Sequence, residues 1–223
     1  MEIFDTFFNL PVLIRSLPFL LSGLMVTLQI GIVSIIVGLV FGLALALLRL
    51  YGAVWLQVIA KSYINFMRSI PLLVLLIIIY YALPFVGIRL SPFLSAVAAL
   101  SLVSAAYTAE IFRAGIEAVP KGQFEASAAL GLSYRKMMVD VILPQAIRVV
   151  IPPLTNNCIN VMKDTALASV VAMPDLLKQA TQAQALAANP SPLIGAAVIY
   201  VAFLWPLVAA VSRLERNYSK ADR

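Results

Sequence analysis

The sequence contains no histidine and a single cysteine, Cys158, in 223 residues. Without histidine there are no His-based zinc ligands, no His-assisted serine or cysteine nucleophile and no imidazole proton relay. One cysteine excludes an intrachain disulfide, and Cys158 reads as a small apolar filler rather than a reactive thiol. Charge is also scarce: Asp, Glu, Lys and Arg make up 12% of the chain against 62% hydrophobic residues. A mean hydropathy of +0.99 is too apolar for one soluble domain to hide in its core. The basic excess, 16 Lys and Arg against 10 acidic residues, falls in gaps between apolar runs, which favours membrane topology over nucleic-acid binding. The phosphate-binding pattern G-x-x-x-x-G-K-[ST] is missing as well, so ATP chemistry is expected on another polypeptide. Residues 1–10 carry Glu2 and Asp5 but no Lys or Arg, so they lack the basic region of a cleavable signal peptide and the first apolar run is expected to remain as a helix.

What is present is length in the apolar runs. A helix needs about 20 apolar residues to cross the hydrocarbon core, where no water satisfies an open backbone. Five segments qualify, at about 18–48, 69–88, 90–110, 149–174 and 193–211. The expected fold is therefore an all-α integral membrane bundle of about five transmembrane helices in a single domain, 1–223. With the N-terminus outside and the C-terminus inside, twelve of the sixteen Lys and Arg fall on the inner side, as the positive-inside rule requires. Segment 111–144 is then cytoplasmic. Within the first span Ser34, Gly38 and Gly42 recur every four residues, the signature of two closely approaching helices. Arg68 reads as a positive-inside anchor. Residues 174–188 suggest a short helix, lying at the outer surface or re-entrant, and Asn189-Pro190-Ser191-Pro192 a loop breaker before the last span.

The cytoplasmic segment carries the most specific pattern. Glu110, Arg113 and Glu117 are spaced three and four apart, which extends the third helix beyond the membrane on a charge-paired face. Pro120 and Gly122 break that helix, 123–130 forms a short alanine-rich one, Gly131 closes it in a left-handed conformation and Ser133 is placed to cap the next. A short helix held between two turns outside the bilayer is built to dock. Glu125-Ala126-Ser127, Gly131 and Val141-Ile142-Leu143-Pro144 resemble the EAA loop of ABC-type importer permeases. The spacing matches throughout, with Ser127 and Val141 as conservative departures. Phe66 to Leu73, Ala106 to Ile111, Pro120 to Gln123 and Lys163 to Leu167 resemble the polar amino-acid branch, which takes glutamate, aspartate, glutamine, arginine or histidine. Leu75 and Ala166 depart from that branch by losing a polar group.

The resemblance implies a MetI-like ABC importer permease bundle in the bacterial inner membrane. It implies ATPase coupling through Glu125, Ala126, Gly131, Leu143 and Pro144. Two ATPase subunits that bind ATP and Mg, a second permease subunit, identical or paralogous, and an extracytoplasmic solute-binding protein are the implied partners. This chain itself would hold no cofactor or metal and catalyse nothing. The alternative is a self-sufficient secondary transporter or channel, which the charged pair Lys163 and Asp164 favours and the small span count and absent repeat oppose.

A substrate path is expected in the fourth span. Asn156, Asn160 and Lys163 align on one helical face and Asn157 with Asp164 on the neighbouring one, and Thr165 is counted with the path. Pro152-Pro153 is expected to free backbone carbonyls in a broken helix, as transporters use near the midplane. Lys163 and Asp164 would attract the carboxylate and ammonium of an amino acid. The same pair also fits a structural ion pair at the outer surface.

Overall fold

A computed structural model of the chain describes residues 6–221. Glu2, Asp5, Arg223 and the side chains of Arg216 and Lys220, used in the charge reading above, lie outside the described residues. Every regular element among the described residues is helical. We name them α1 (Leu10–Tyr51), α2 (Val54–Ser69), α3 (Leu72–Ile77, continuing to Val86), α4 (Pro92–Glu117), α5 (Lys121–Ala129), α6 (Tyr134–Val171), α7 (Leu176–Ala187) and α8 (Ser191–Ala221).

Four of these helices, α1, α4, α6 and α8, are long and apolar enough to cross a membrane, and the bent pair α2 and α3 makes a fifth crossing if taken as one span. The 69–88 span is therefore not a simple helix. Ile70 and Pro71 adopt extended backbone between α2 and α3, and the two helices meet at 101°. Proline at 71 has no N–H to continue α2 and disfavours helical geometry in the residue before it. The remainder of α3 slackens into a π turn over Ile78–Ala82 and a 3-10 turn over Leu83–Val86, and Gly87, at φ 88°, closes it.

The core is built around α1 and α4. Helix α1 is 42 residues long and starts at Leu10, well before the 18–48 reading, with the Asn9 side chain accepting from the Val12 N–H. Its small-residue face lies directly on α4. A Cβ on Gly38 would come within 2.8 Å of Ser104 Oγ, and one on Gly42 within 2.5 Å of Thr108 Cβ. Such contact distances let two backbones approach closely and substitute van der Waals packing for the hydrophobic drive that lipid removes. On the neighbouring faces Ile30, Leu75, Leu76, Ile79 and Leu100 form an apolar cluster that joins α1, α3 and α4.

Helix α6 packs on α4 through Gly115, where a Cβ would lie 2.1 Å from Val150 Cγ2, and through Asn157. At the other end of the bundle α7 tucks between α1 and α8. The Leu176 N–H donates to Thr27 Oγ1 at 3.0 Å, and the Asp175 side chain caps α7 by accepting from the Lys178 N–H at 3.0 Å. Leu176, Ala180, Leu20 and Ala196 close a small apolar core there. Ser191, the first residue of α8, accepts from the Asn9 N–H at 2.9 Å, so the starts of α1 and α8 are tied together.

Candidate functional site

The residues singled out in the sequence fall at two places. The first is α5 and the turn that follows it. Pro120 stands at the N-cap with extended backbone, and α5 runs from Lys121 to Ala129. Gly131, at φ 74°, ends it: the Gly131 N–H donates to the Ala128 carbonyl at 2.9 Å and the Leu132 N–H to the Ser127 carbonyl at 3.1 Å. This is the paired reverse turn that a left-handed residue after a helix creates, and glycine reaches it without the Cβ clash other residues incur. Ser133 holds the N-cap position of α6 with extended backbone but its side chain makes no capping hydrogen bond, so the hydroxyl is not what starts that helix.

Two residues of α5 turn inward: Phe124, which the sequence pattern did not single out, and Ser127, which it gave as a departure from the motif. Phe124 packs onto an apolar cluster of Val119, Met138, Ile142 and Ala146, and Ser127 is buried with its hydroxyl donating to the Gln123 carbonyl at 2.6 Å. The spacing of three between Phe124 and Ser127 places them on one helical face, the signal that would have found them. The rest of α5 is bare. Glu125, Ala126, Ala128 and Ala129 are exposed, and Leu130, a large apolar residue, is 80% exposed. Leu143 joins the cluster under Phe124, whereas Pro144 is exposed. Leu143 therefore belongs to the seat of α5, and Pro144 does not. The start of α6 widens into a π turn over Met137–Ile142 just ahead of Pro144, and the Gln145 side-chain amide donates to the Val141 carbonyl at 2.8 Å. A π register accommodates a proline that would otherwise clash with the carbonyl one turn back.

An ionic group joins α1, α2 and α4. Glu110 accepts from Arg49 of α1 and from Arg113 of its own helix, the latter through Nε at 3.2 Å, while Arg113 also reaches Glu117. Arg68 of α2 stands 3.9 Å from Glu110 and over the Tyr107 ring. Arg68 is thus part of a three-helix ionic contact, more than a solitary anchor.

The second place is the far half of α6. The helix is not broken at Pro152-Pro153: α-helical geometry runs unbroken from Leu143 to Asp164. Two prolines remove only the two N–H groups that would have met the carbonyls of Arg148 and Val149, and the contacts of Val150 and Asn157 with α4 hold the helix through them. Geometry changes instead at Thr165, where the chain tightens into a 3-10 run to Val171. Asn156, Asn160, Lys163 and Asp164 all lie on the exposed surface of the chain. The other two expected path residues face inward. Asn157 donates from Nδ2 to Ser104 Oγ and to Thr108 Oγ1, both at 3.2 Å, and Thr165 is fully buried with its hydroxyl donating to the Met162 carbonyl at 2.7 Å. Among the described residues Lys163 and Asp164 form no salt bridge with each other. Leu75, where the branch carries a polar group, is buried in the apolar cluster.

Residues 38–220 match the family model described as binding-protein-dependent transport system inner membrane component. The chain is 41% identical over 214 residues to the arginine transport system permease protein ArtQ of Bacillus subtilis (strain 168), covering 94% of this chain and 96% of the relative. It is equally 41% identical over 209 residues to the L-cystine transport system permease protein TcyB of the same organism, covering 91% and 89%. A crystal structure of an amino acid ABC transporter with histidines superimposes with a TM-score of 0.87 at 36% identity, over 92% of this chain and 96% of that one. On the match to the family model and the near full-length relatives, the chain belongs to the family of binding-protein-dependent transport system inner membrane components and is a multi-pass permease of the inner membrane.

Proposed function

We propose that this permease imports a polar amino acid as one half of a dimeric path and is driven by separate ATPase subunits docked on α5. The observation that carries the reading is the form of α5: a helix with Phe124 packed on the bundle and Ser127 buried, and with Glu125, Ala126, Ala128 and Leu130 bare. An exposed apolar residue at the end of a short helix that also carries an exposed carboxylate gives a partner both a contact to bury and a charge to orient on. Glu125 is the orienting charge, Gly131 fixes where the helix ends, Leu143 belongs to the cluster that seats it, and Pro144 follows the π turn behind it. ATP and Mg stay with the partner; this chain contributes motion rather than chemistry. Closure of the ATPase pair moves α5, and the π turn at the start of α6 lies directly behind it. In this reading α5 faces the cytoplasm, the N-terminus is outside and the chain is one permease domain.

The exposed side of α6 supplies the path. Two amides, an ammonium and a carboxylate facing lipid would cost several kcal/mol, so Asn156, Asn160, Lys163 and Asp164 require a wet cavity or a second permease copy opposite. Relatives named for arginine and for cystine are equally distant from this chain, so the choice among polar amino acids rests with an external binding protein and with this face. The test is co-purification with the candidate ATPase in detergent, comparing wild type with Glu125→Arg. A wild-type complex lost on charge reversal supports the reading. Transport by the wild type without any ATPase would replace it with a secondary transporter.

A further inference from the structure

A cavity of about 490 Å³ opens beside the seat of α5, on the side of the bundle away from the polar face of α6. Its walls are Leu43 and Leu47 of α1, Phe112 and Ile116 of α4, and Met138 and Ile147 of α6. On α6 the cavity uses the face of Leu143, Ala146, Ile147 and Val150, about a third of a turn from that of Asn156, Asn160 and Lys163 at 3.6 residues per turn. The groove is therefore not a continuation of the substrate path. Leu43, Leu47, Val139 and Ile147 at its mouth are each about half exposed. At one end stand Tyr51, Tyr134 and Arg135, which turn almost only carbon atoms to the cavity itself. Arg135 is exposed and makes no salt bridge among the described residues, and no acidic side chain lines the groove.

The lining selects its occupant. An amino acid brings two charges, and burying either against these walls without a partner is costly. A helix of a second copy, some 10 Å across and 5.4 Å per turn, fills such a volume with roughly a single turn. A slim apolar chain ending in an anion satisfies both the walls and the arginine, and tyrosines at the polar end are typical of the boundary between hydrocarbon and headgroup. We propose that this groove is a binding site for one acyl chain of an anionic phospholipid, its phosphate held by Arg135. The inference rests on the cytoplasmic placement of α5 proposed above, which puts the groove in the leaflet whose anionic lipids favour basic side chains. A lipid seated there packs against Met138, which also supports Phe124, and so bears on the same cluster that carries α5.

The test is native mass spectrometry of the full chain purified with its ATPase, titrated with equal amounts of phosphatidylglycerol and phosphatidylcholine. The wild type is expected to retain one phosphatidylglycerol per copy with roughly fivefold preference, the size of one basic residue at an anionic surface. Arg135→Gln should remove the preference while leaving one apolar chain bound, and Leu47→Trp, which fills the groove, should remove the tight site for both lipids. Unchanged selectivity in Arg135→Gln, or unchanged retention in Leu47→Trp, would overturn the proposal, as would absence of the lipid from the wild-type complex. Lipid retained by a wild type that holds no ATPase would support this site while removing the docking role of α5.

Discussion

Along the seam between α1 and α4, Gly38 and Gly42 leave no room for even a methyl group, and every residue on the contact is buried by its neighbour. Helix α5 is arranged the other way, with Phe124 and Ser127 turned in and the remaining side chains left without a neighbour. The difference separates what holds the permease together from what it offers to others. Small residues in the seam place stability in backbone proximity, so substitutions there act on folding. On α5 most side chains have nothing in this chain to lose, so substitutions there act on assembly.

The sharpest way to break that comparison is to enlarge the seam. Gly42→Leu forces α1 off Thr108 and the Ala105 carbonyl and is expected to cost about 3 kcal/mol, seen as a lower thermal midpoint in detergent. A second effect comes from Asp175, fully buried at the start of α7 and outside the spans. Burial pushes its carboxyl up to about 6, with the backbone N–H groups of Lys178 and Leu177 opposing. The unfolded carboxyl titrates near 4, so above pH 6 the folded state carries an ionised buried group, and as pH falls through 6 it takes up a proton that the unfolded chain does not. Asp175→Asn, which keeps the cap, should be more stable than wild type at pH 7.5 by on the order of 2 to 3 kcal/mol, the gap falling to roughly a third by pH 4.5 and closing below about pH 3.5. Thermal unfolding of both proteins across that range checks the sign.

On α5 the expected stability effects are smaller. Phe124→Ala removes a half-buried ring and should cost about 1.5 kcal/mol, less than a fully buried phenylalanine, with faster hydrogen exchange confined to 121–131. Glu125→Arg should change stability by no more than about 0.5 kcal/mol, as for other exposed positions, while abolishing ATPase binding. A large stability loss in the last variant would mean that α5 is a structural brace, and the contrast with the seam would fail.

How much of this was legible in the sequence depends on whether the determining signal was local. Span count, the small-residue stripe and the helix around Glu125 rest on composition over a few turns, and Gly131 on the one backbone conformation glycine favours. The bend between α2 and α3 was not read, because Lys61 and Arg68 make α2 too polar to register as a span and the turn at Pro71 lies inside an apolar run. Pro152-Pro153 looked like a break because proline's local cost is plain, whereas the contacts that carry the helix through it come from Gly115, Ser104 and Thr108, some 35 to 50 residues away. Asn157 was placed with the path because its amide is polar; only the hydroxyls opposite it show that it is spent on packing.

Helix α1, with 42 residues, measures about 63 Å, twice the hydrocarbon thickness of roughly 30 Å. Its beginning is tied to Ser191 and its far end to Glu110 through Arg49. A rod of that length acts as a lever: a tilt of about 10° at one end sweeps the other by about 11 Å.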